Sequence, residues 1–381
     1  MGPDFFCPAV FTNNCYKKHL GNFVNLVRVG PSQTQLGMSA QLASKLTGGK
    51  MATETFRWGI LGAGGIAEQF ARDLMRLPDQ RPHAIGSRSQ EKADKFADLF
   101  AMPNRHDSYA KLVADPEVDG IYVATHHPMH MRDTLMALNA GKPVLCEKPF
   151  AMSFQETKTM VETARAKNLL LMEAMWARFL PHMIQVREII KSGVLGEIIQ
   201  VRADHGQWFV KDPEFRLFKP ELGGGSLFDL GIYPISFASM VLGTPSRVTA
   251  RSTKGFTGVD GQTSVILEYP TGAHALLNMT NSAATPNRAL IVGSDARIEI
   301  DRTFYAPTTF RVIDHKDQII GGSDKKYVGH GLREEAIEFV RCYRAGLKES
   351  PILPLDETLS IMGTITEIAD QIGLVFKEFA K

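Results

Sequence analysis

Residues 56–67 read Phe56-Arg57-Trp58-Gly59-Ile60-Leu61-Gly62-Ala63-Gly64-Gly65-Ile66-Ala67, a mostly apolar run that breaks into glycines and then opens a helical pattern. The break has the form GxGxxA. Gly62 permits a tight turn, Gly64 lets the backbone approach a pyrophosphate, and the small Ala67 allows the helix to pack closely on the strand, with the helix N-terminus facing the phosphates. Ala63, Gly65 and Ile66 complete the loop and are read as cofactor contacts with it. A glycine turn alone is weak evidence, but here strand, loop, helix and next strand follow in order, and a dinucleotide site is expected.

Outward from this loop, short apolar strands at Phe56–Leu61, His83–Gly86, Gly120–Ala124 and Pro143–Cys146 alternate with helical patterns at Ile66–Leu77, Gln90–Phe100, Tyr109–Ala114 and Met129–Ala140, the last stopped by Gly141. Strict alternation predicts a doubly wound α/β domain with a parallel sheet. A further helix, Phe154–Lys167, leads to an apolar strand at Leu169–Met172, and then the rhythm changes. Seven strand-like runs between Ile198 and Ile313 are separated by short turns, which predicts one large, open, mainly antiparallel sheet. Helices at Gly331–Leu347 and Leu355–Phe379 close the chain. The expected organisation is an N-terminal extension over 1–50, a Rossmann domain over 51–174, and a substrate-binding and dimerisation α+β domain over 175–381.

The 381 residues, 44% hydrophobic and 22% charged, suit two globular domains and exclude a disordered or coiled-coil chain. A net charge of +2 leaves no excess for binding nucleic acid. Residues 1–50 carry +4 of that charge, and two of the four cysteines, Cys7 and Cys15, so the body is mildly acidic. The extension is read as disordered or as lying upstream of the working start at Met51. Cys146 and Cys342 are too few for a disulfide framework, so a reducing, cytoplasmic setting is expected. No stretch of 18 consecutive apolar residues occurs, and no membrane span is expected.

The second strand ends in Gly86-Ser87-Arg88-Ser89. An acid there would bind the ribose 2′-hydroxyl of NAD; Arg88 instead offers a guanidinium to a 2′-phosphate, with Ser87 beside it and Lys92 one turn further on, so NADP is expected over NAD. The fourth strand ends in Cys146-Glu147-Lys148-Pro149, which places Lys148 where ligands bind in an open parallel sheet. Beside a nicotinamide its cation would favour an alkoxide giving up hydride, and burial is expected to lower its pKa. The strand before it ends in Thr125-His126-His127-Pro128-Met129-His130; these histidines are read as groups packed around the cofactor, without a metal. In Gly223-Gly224-Gly225-Ser226-Leu227-Phe228-Asp229-Leu230-Gly231-Ile232-Tyr233, Ser226 reads as a helix N-cap, and Asp229 and Tyr233 fall on one helical face.

These motifs, together with Val144–Ser153 and Leu171-Met172-Glu173-Ala174-Met175-Trp176-Ala177-Arg178-Phe179, resemble those of the glucose-fructose oxidoreductase/inositol dehydrogenase (Gfo/Idh/MocA) family, in its dihydrodiol dehydrogenase and NADP D-xylose dehydrogenase branch. The resemblance runs from about Phe56 to Pro351. It implies that Lys148 and Asp229 act on a substrate hydroxyl, that Tyr233 exchanges its proton with a phenol pKa lowered by Lys148, and that Trp176, Arg178 and Phe179 line the pocket. It further implies that Arg216, and Glu147 of the EKP motif, reach the cofactor. The implied activity is NADP-dependent hydride transfer to or from a CH-OH/C=O group of a sugar, polyol or trans-dihydrodiol, in a homodimer formed through the C-terminal sheet. A reductase working in the opposite sense and a non-catalytic NADP-binding protein are the alternatives. Trp208 is counted with Trp176 and Phe179 as an aromatic lining the pocket.

Overall fold

The computed structural model describes residues 54–325 and 327–374, so the extension over 1–50 and positions 375–379 of the expected last helix lie outside the described residues, and within them that helix stops at Gln371. Six strands, β1 (Phe56–Leu61), β2 (Gln80–Gly86), β3 (Asn104–His106), β4 (Gly120–Val123), β5 (Val144–Glu147) and β6 (Leu171–Ala174), form a parallel sheet in the order β3-β2-β1-β4-β5-β6. The helices between them are α1 (Gly65–Leu74), α2 (Gln90–Phe100), α3 (Tyr109–Val113), α4 (His130–Asn139) and α5 (Phe154–Ala166). Every residue of β4, β5 and β6 is buried, as befits strands covered on both faces. Serine hydroxyls start three of these helices: Ser89 accepts the N–H of Lys92, Ser108 that of Lys111, and Ser153 that of Glu156.

Strand order reverses between β1 and β4, and this reversal opens the crevice at the carboxyl ends of the strands. The glycine loop after β1, the histidine stretch after β4 and Lys148 after β5 all fall on that edge. Two elements before residue 192 fall outside the expected pattern. Polar β3 is a three-residue edge strand held by its pairing with Ala84–Gly86 of β2. Helix α6 (Pro181–Lys191) is started by Pro181, whose fixed φ suits a first turn and whose ring needs no hydrogen-bond acceptor.

The second sheet holds eight strands: β7 (Ile198–Gly206), β8 (Arg247–Lys254), β9 (Asp260–Glu268), β10 (His274–Thr280), β11 (Ala289–Gly293), β12 (Ala296–Ile300), β13 (Phe310–Asp314) and β14 (Ile319–Ser323). Their order is β14-β13-β12-β11-β7-β10-β9-β8, antiparallel throughout except that β7 and β10 run parallel. Alternate residues of β12 are buried, the signature of a sheet with one covered face. That face takes α7 (Ile232–Leu242), which packs on β7 and β10. Among the described residues Pro220–Leu242 is long and apolar enough to cross a bilayer, but 78% of its most apolar window lies inside the fold, where it is core.

The closing helices α8 (Leu332–Arg344) and α9 (Leu355–Gln371) tie the two sheets together, α8 against α1 and α9 against α5, α7 and β8. The start of α8 is capped from outside. The buried carboxylate of Asp73, on α1, accepts the backbone N–H groups of His330 (3.2 Å), Gly331 (2.9 Å) and Arg333 (3.3 Å). Gly331 has φ +117, which a side chain would strain. Replacing Asp73 with Ala leaves these donors unpaired and is expected to cost about 1–3 kcal/mol. Urea unfolding should show a lower midpoint for Asp73→Ala and a smaller drop for Asp73→Asn, which keeps an acceptor oxygen.

Candidate active site

Strand β5 delivers Lys148 to the crevice, and the first turn of the helix leading into α7 brings Asp229 to meet it. The Lys148 Nζ donates to the Asp229 backbone carbonyl (3.1 Å) and to its Oδ1 (3.3 Å). Both side chains are nearly enclosed, with 12% and 9% exposure. Arg216 donates to both oxygens of Asp229 (3.2 and 3.1 Å), and His127 Nε2 lies 3.9 Å from Oδ1. Burial by itself would raise the Asp229 carboxyl, but Lys148, Arg216 and His127 outweigh it and hold it below the usual carboxylate range.

The residues Leu227–Gly231 wind as a π-helical turn before α7 begins. Such single wide turns recur at functional sites, and this one shifts the plain α-helical spacing assumed for Asp229 and Tyr233. Ser226 is not the cap: it is itself helical, and its hydroxyl donates to Asp260 Oδ2 at 2.7 Å. Tyr233 nevertheless joins the cluster, since its ring centroid lies 4.8 Å from Lys148 Nζ. Its Oη accepts the indole N–H of Trp176 at 2.8 Å.

Two protonation expectations are corrected. Burial does oppose the charge of Lys148, but Tyr233, Asp229 and Glu147 together outweigh it, and its pKa lies above, not below, the ordinary lysine value. Lys148 does pull the Tyr233 phenol down, yet burial dominates and the phenol is pushed up to about 12. At neutral pH the site therefore holds a charged lysine, a charged aspartate and a protonated tyrosine.

The edge beside the cluster suits a dinucleotide. A Cβ on Gly62 would come within 2.9 Å of the Ala124 carbonyl oxygen, whereas Gly64 and Gly65 would meet nothing within 4 Å, so the loop is tight underneath and open above. Thr125 Oγ1 and His127 Nδ1 are buried without a partner among the described residues, polar atoms that a bound cofactor could satisfy. Arg88 is exposed, has no carboxylate partner within 4.0 Å among the described residues, and shares with Arg216 a field that lowers the pKa of His126, partial desolvation being the larger cause.

Family models match most of the described chain: "Oxidoreductase family, NAD-binding Rossmann fold" over residues 56–175, and "GFO/IDH/MocA C-terminal domain" over 183–299. The chain belongs to the GFO/IDH/MocA oxidoreductase family. It is 37% identical over 330 residues to a trans-1,2-dihydrobenzene-1,2-diol dehydrogenase of Mus musculus, covering 84% of this chain and 98% of that one. It is 35% identical over 371 residues to a D-xylose 1-dehydrogenase (NADP(+)) of Hypocrea jecorina, covering 85% of this chain and 94% of that one. A 3-ketoreductase of Actinomadura kijaniata, solved with NADP and TDP-benzene, superposes with a TM-score of 0.74 at 25% identity, over 84% of this chain and 98% of that one.

Within this family site the other expected residues divide. Trp176 is at the cluster. Arg178 is turned away from it: its buried guanidinium donates to Glu357 Oε1 (2.8 Å), to the Ser236 and Ile352 carbonyls, and to the Ser236 hydroxyl, which ties α9 to α7. Phe179 is buried in the core, and Trp208 is 65% exposed with no ring partner among the described residues. The Glu147 carboxylate accepts the Tyr122 hydroxyl and the Lys148 N–H, beneath the lysine and inside the sheet. Buried His130 sits between the carbonyls of Pro149 (2.8 Å) and Thr125 (3.0 Å), joining the ends of β5 and β4. The Ser87 hydroxyl accepts the Ser89 N–H at 3.4 Å, and Lys92 is an exposed residue of α2.

Four residues near the cluster escaped sequence reasoning: His205, Gln207, Tyr305 and His330. The rings of His205 and Tyr305 lie 5.2 and 4.7 Å from that of Tyr233, and His330 lies 5.1 Å from Trp176. Only His205, at the end of a strand-like run, carried any local signal.

Because Asp229 is a main source of the raised Lys148 pKa, Asp229→Asn should leave the ammonium opposed by burial with less compensation. The Lys148 pKa is then expected to fall relative to wild type. Reductive ¹³C-methylation followed by an NMR pH titration reads this directly, with Lys148→Met identifying the resonance.

Proposed function

We propose that the protein is an NADP-dependent dehydrogenase/reductase acting on a CH-OH or C=O group of a sugar, polyol or trans-dihydrodiol. The observation that carries this reading is the Lys148 ammonium, held by Asp229 and lying over the ring of Tyr233 at the carboxyl end of β5. It is supported by the dinucleotide loop and by relatives whose names specify a diol, D-xylose and NADP(+).

The glycine loop would hold the dinucleotide and Arg88 with Lys92 its 2′-phosphate, and the bound cofactor would supply the hydride acceptor or donor. Lys148 polarises the substrate oxygen and stabilises the alkoxide that oxidation requires, a charge it can meet because burial weakens screening. Asp229, itself gripped by Arg216, holds the lysine in place and charged, although the Arg216 cation by itself opposes that charge. Tyr233 exchanges the hydroxyl proton, and the Trp176 N–H donated to its oxygen steadies the phenolate form when the proton leaves. With a phenol near 12 the resting site is ready to donate a proton, which suits carbonyl reduction; oxidation needs the conjugate base. A cytoplasmic setting and a homodimer through the open face of the second sheet complete the reading. Sedimentation at micromolar concentration should show the dimer.

Lys148→Met is expected to lower turnover by about 10³-fold or more while NADPH affinity, read by fluorescence, stays within about threefold. The screen pairs NADP+ and NAD+ with D-xylose, D-glucose and aromatic trans-dihydrodiols, and NADPH with 1,5-anhydrofructose. Near-normal turnover by Lys148→Met overturns the assignment. Arg88→Ala should narrow the preference for NADP+ over NAD+ by about tenfold or more, since one charge-assisted contact is lost. Oxidation kcat/KM should climb from pH 7 to 10 as phenolate becomes accessible, while reduction should not.

A further inference from the structure

A chain of hydrogen bonds beside Tyr233 fixes the direction of one more proton. His205, at the end of β7, is 1% exposed, and its Nδ1 lies 3.0 Å from the Leu230 carbonyl oxygen. A carbonyl can only accept, so the ring proton sits on Nδ1. Burial, with Lys148 nearby, holds this imidazole down at about 3, so Nε2 is a bare lone pair. The atom facing it at 3.0 Å must then be a donor, which sets the Gln207 side chain with its amide nitrogen toward His205. The same nitrogen lies 2.9 Å from Tyr305 Oη. With one amide hydrogen directed to His205, the second goes to Tyr305, whose oxygen is the acceptor.

Tyr305 thus cannot give its own proton to Gln207, and among the described residues no other acceptor meets it. Tyr233 is in the same condition, since its oxygen accepts the Trp176 N–H. The two phenol rings lie 4.7 Å apart at 36°, and the Tyr305 ring is stacked on His205 at 4.0 Å. Two adjacent tyrosines therefore each receive an N–H from behind and each retain an O–H to donate, next to one ammonium.

We infer that Tyr305 is a specificity-determining residue that donates to the oxygen on the carbon next to the reacting one, so that the site selects substrates bearing oxygens on adjacent carbons. This rests on the reading of Lys148 and Tyr233 as the hydride-transfer site. Tyr233 and Lys148 take the reacting oxygen; Tyr305 takes its neighbour, as the second hydroxyl of a vicinal diol or the 2-hydroxyl of an aldose. No covalent step involves Tyr305.

The test uses the full chain with NADP+ and compares D-glucose with 2-deoxy-D-glucose, and D-xylose with 2-deoxy-D-xylose, in wild type and Tyr305→Phe. The substitution keeps the ring that stacks on His205 and removes the donor. The ratio of kcat/KM for the 2-hydroxy substrate over its deoxy analogue should fall about tenfold or more in the variant, the size of one hydrogen bond to a buried site. Gln207→Leu provides a second route, because without the amide N–H the Tyr305 oxygen loses the donor that sets its own proton toward the substrate; the same ratio should fall although the hydroxyl is intact. An unchanged ratio in both variants overturns the role of Tyr305 and leaves the hydride-transfer reading standing. A wild type that oxidises neither member of either pair, nor a trans-dihydrodiol, overturns that reading and this inference with it. Should Tyr305→Phe fail to bind NADPH, the Gln207→Leu ratio decides alone.

Discussion

The structure is organised around a charge that has been taken out of water. Lys148 and Asp229 come from different layers, one at the end of a parallel strand, the other in a π-helical turn against the second sheet. Desolvating both ions costs several kcal/mol each, and removing either alone would leave the other stranded. Such a pair is a poor device for stability, which points to use rather than to packing. Arg216 sets two cations against the Asp229 anion, and because burial pushes Glu147 up to about 7 that second carboxyl is only partly ionised near neutrality, so the cluster keeps a positive field with Asp229 fully ionised. That surplus is what an alkoxide in the crevice would meet.

The pair also explains features that otherwise look unrelated. Glu147 accepts the Lys148 backbone N–H and the Tyr122 hydroxyl, fixing the strand end from below. His130 ties that same end, through the Pro149 carbonyl, to the end of β4. Arg178 crosses from the turn beside Trp176 to Ser236 and Glu357, so the element that supplies Trp176 is bolted to the helix that supplies Tyr233. In each case a polar residue in the motif region holds another part of the chain in place, a use distinct from touching a ligand. Sequence position alone could not separate these two uses, because both occur at strand ends and both need a buried polar side chain.

What the sequence disclosed follows from the range of the interactions involved. The alternation of strand and helix, the turn at Gly62 and the apolar strand ends are local, and they gave the parallel sheet, its loop, and the positions of Lys148 and Asp229. Edge strand β3 lacks a periodic signal because its pairing with β2, not its own side chains, holds it, whereas α6 does carry helical spacing in Met183, Val186 and Ile190. Protonation was misread for Lys148 and Tyr233 because it depends on how burial and several charges balance in space, a sum that no single contact predicts. Tyr305 and His330 were silent, since each arrives at the site from a segment far away along the chain and is defined there only by what it faces.

The polarity of the His205–Gln207–Tyr305 chain depends on His205 remaining neutral. A protonated ring would present an N–H to Gln207, the amide would turn its oxygen inward, and Tyr305 would lose the donor that keeps its own proton available. With burial holding the imidazole at about 3, that reversal lies outside the pH range in which either direction of hydride transfer would run. Titration near neutrality is therefore not carried by this wall of the pocket. Nor does Tyr233 titrate there, its phenol lying at about 12; exchange of the substrate proton falls to it because its ring faces the ammonium directly, while Tyr305 keeps its proton. One phenol is placed to exchange a proton and its neighbour to hold one, a division that follows from distance to Lys148 and from which nitrogen stands behind each oxygen.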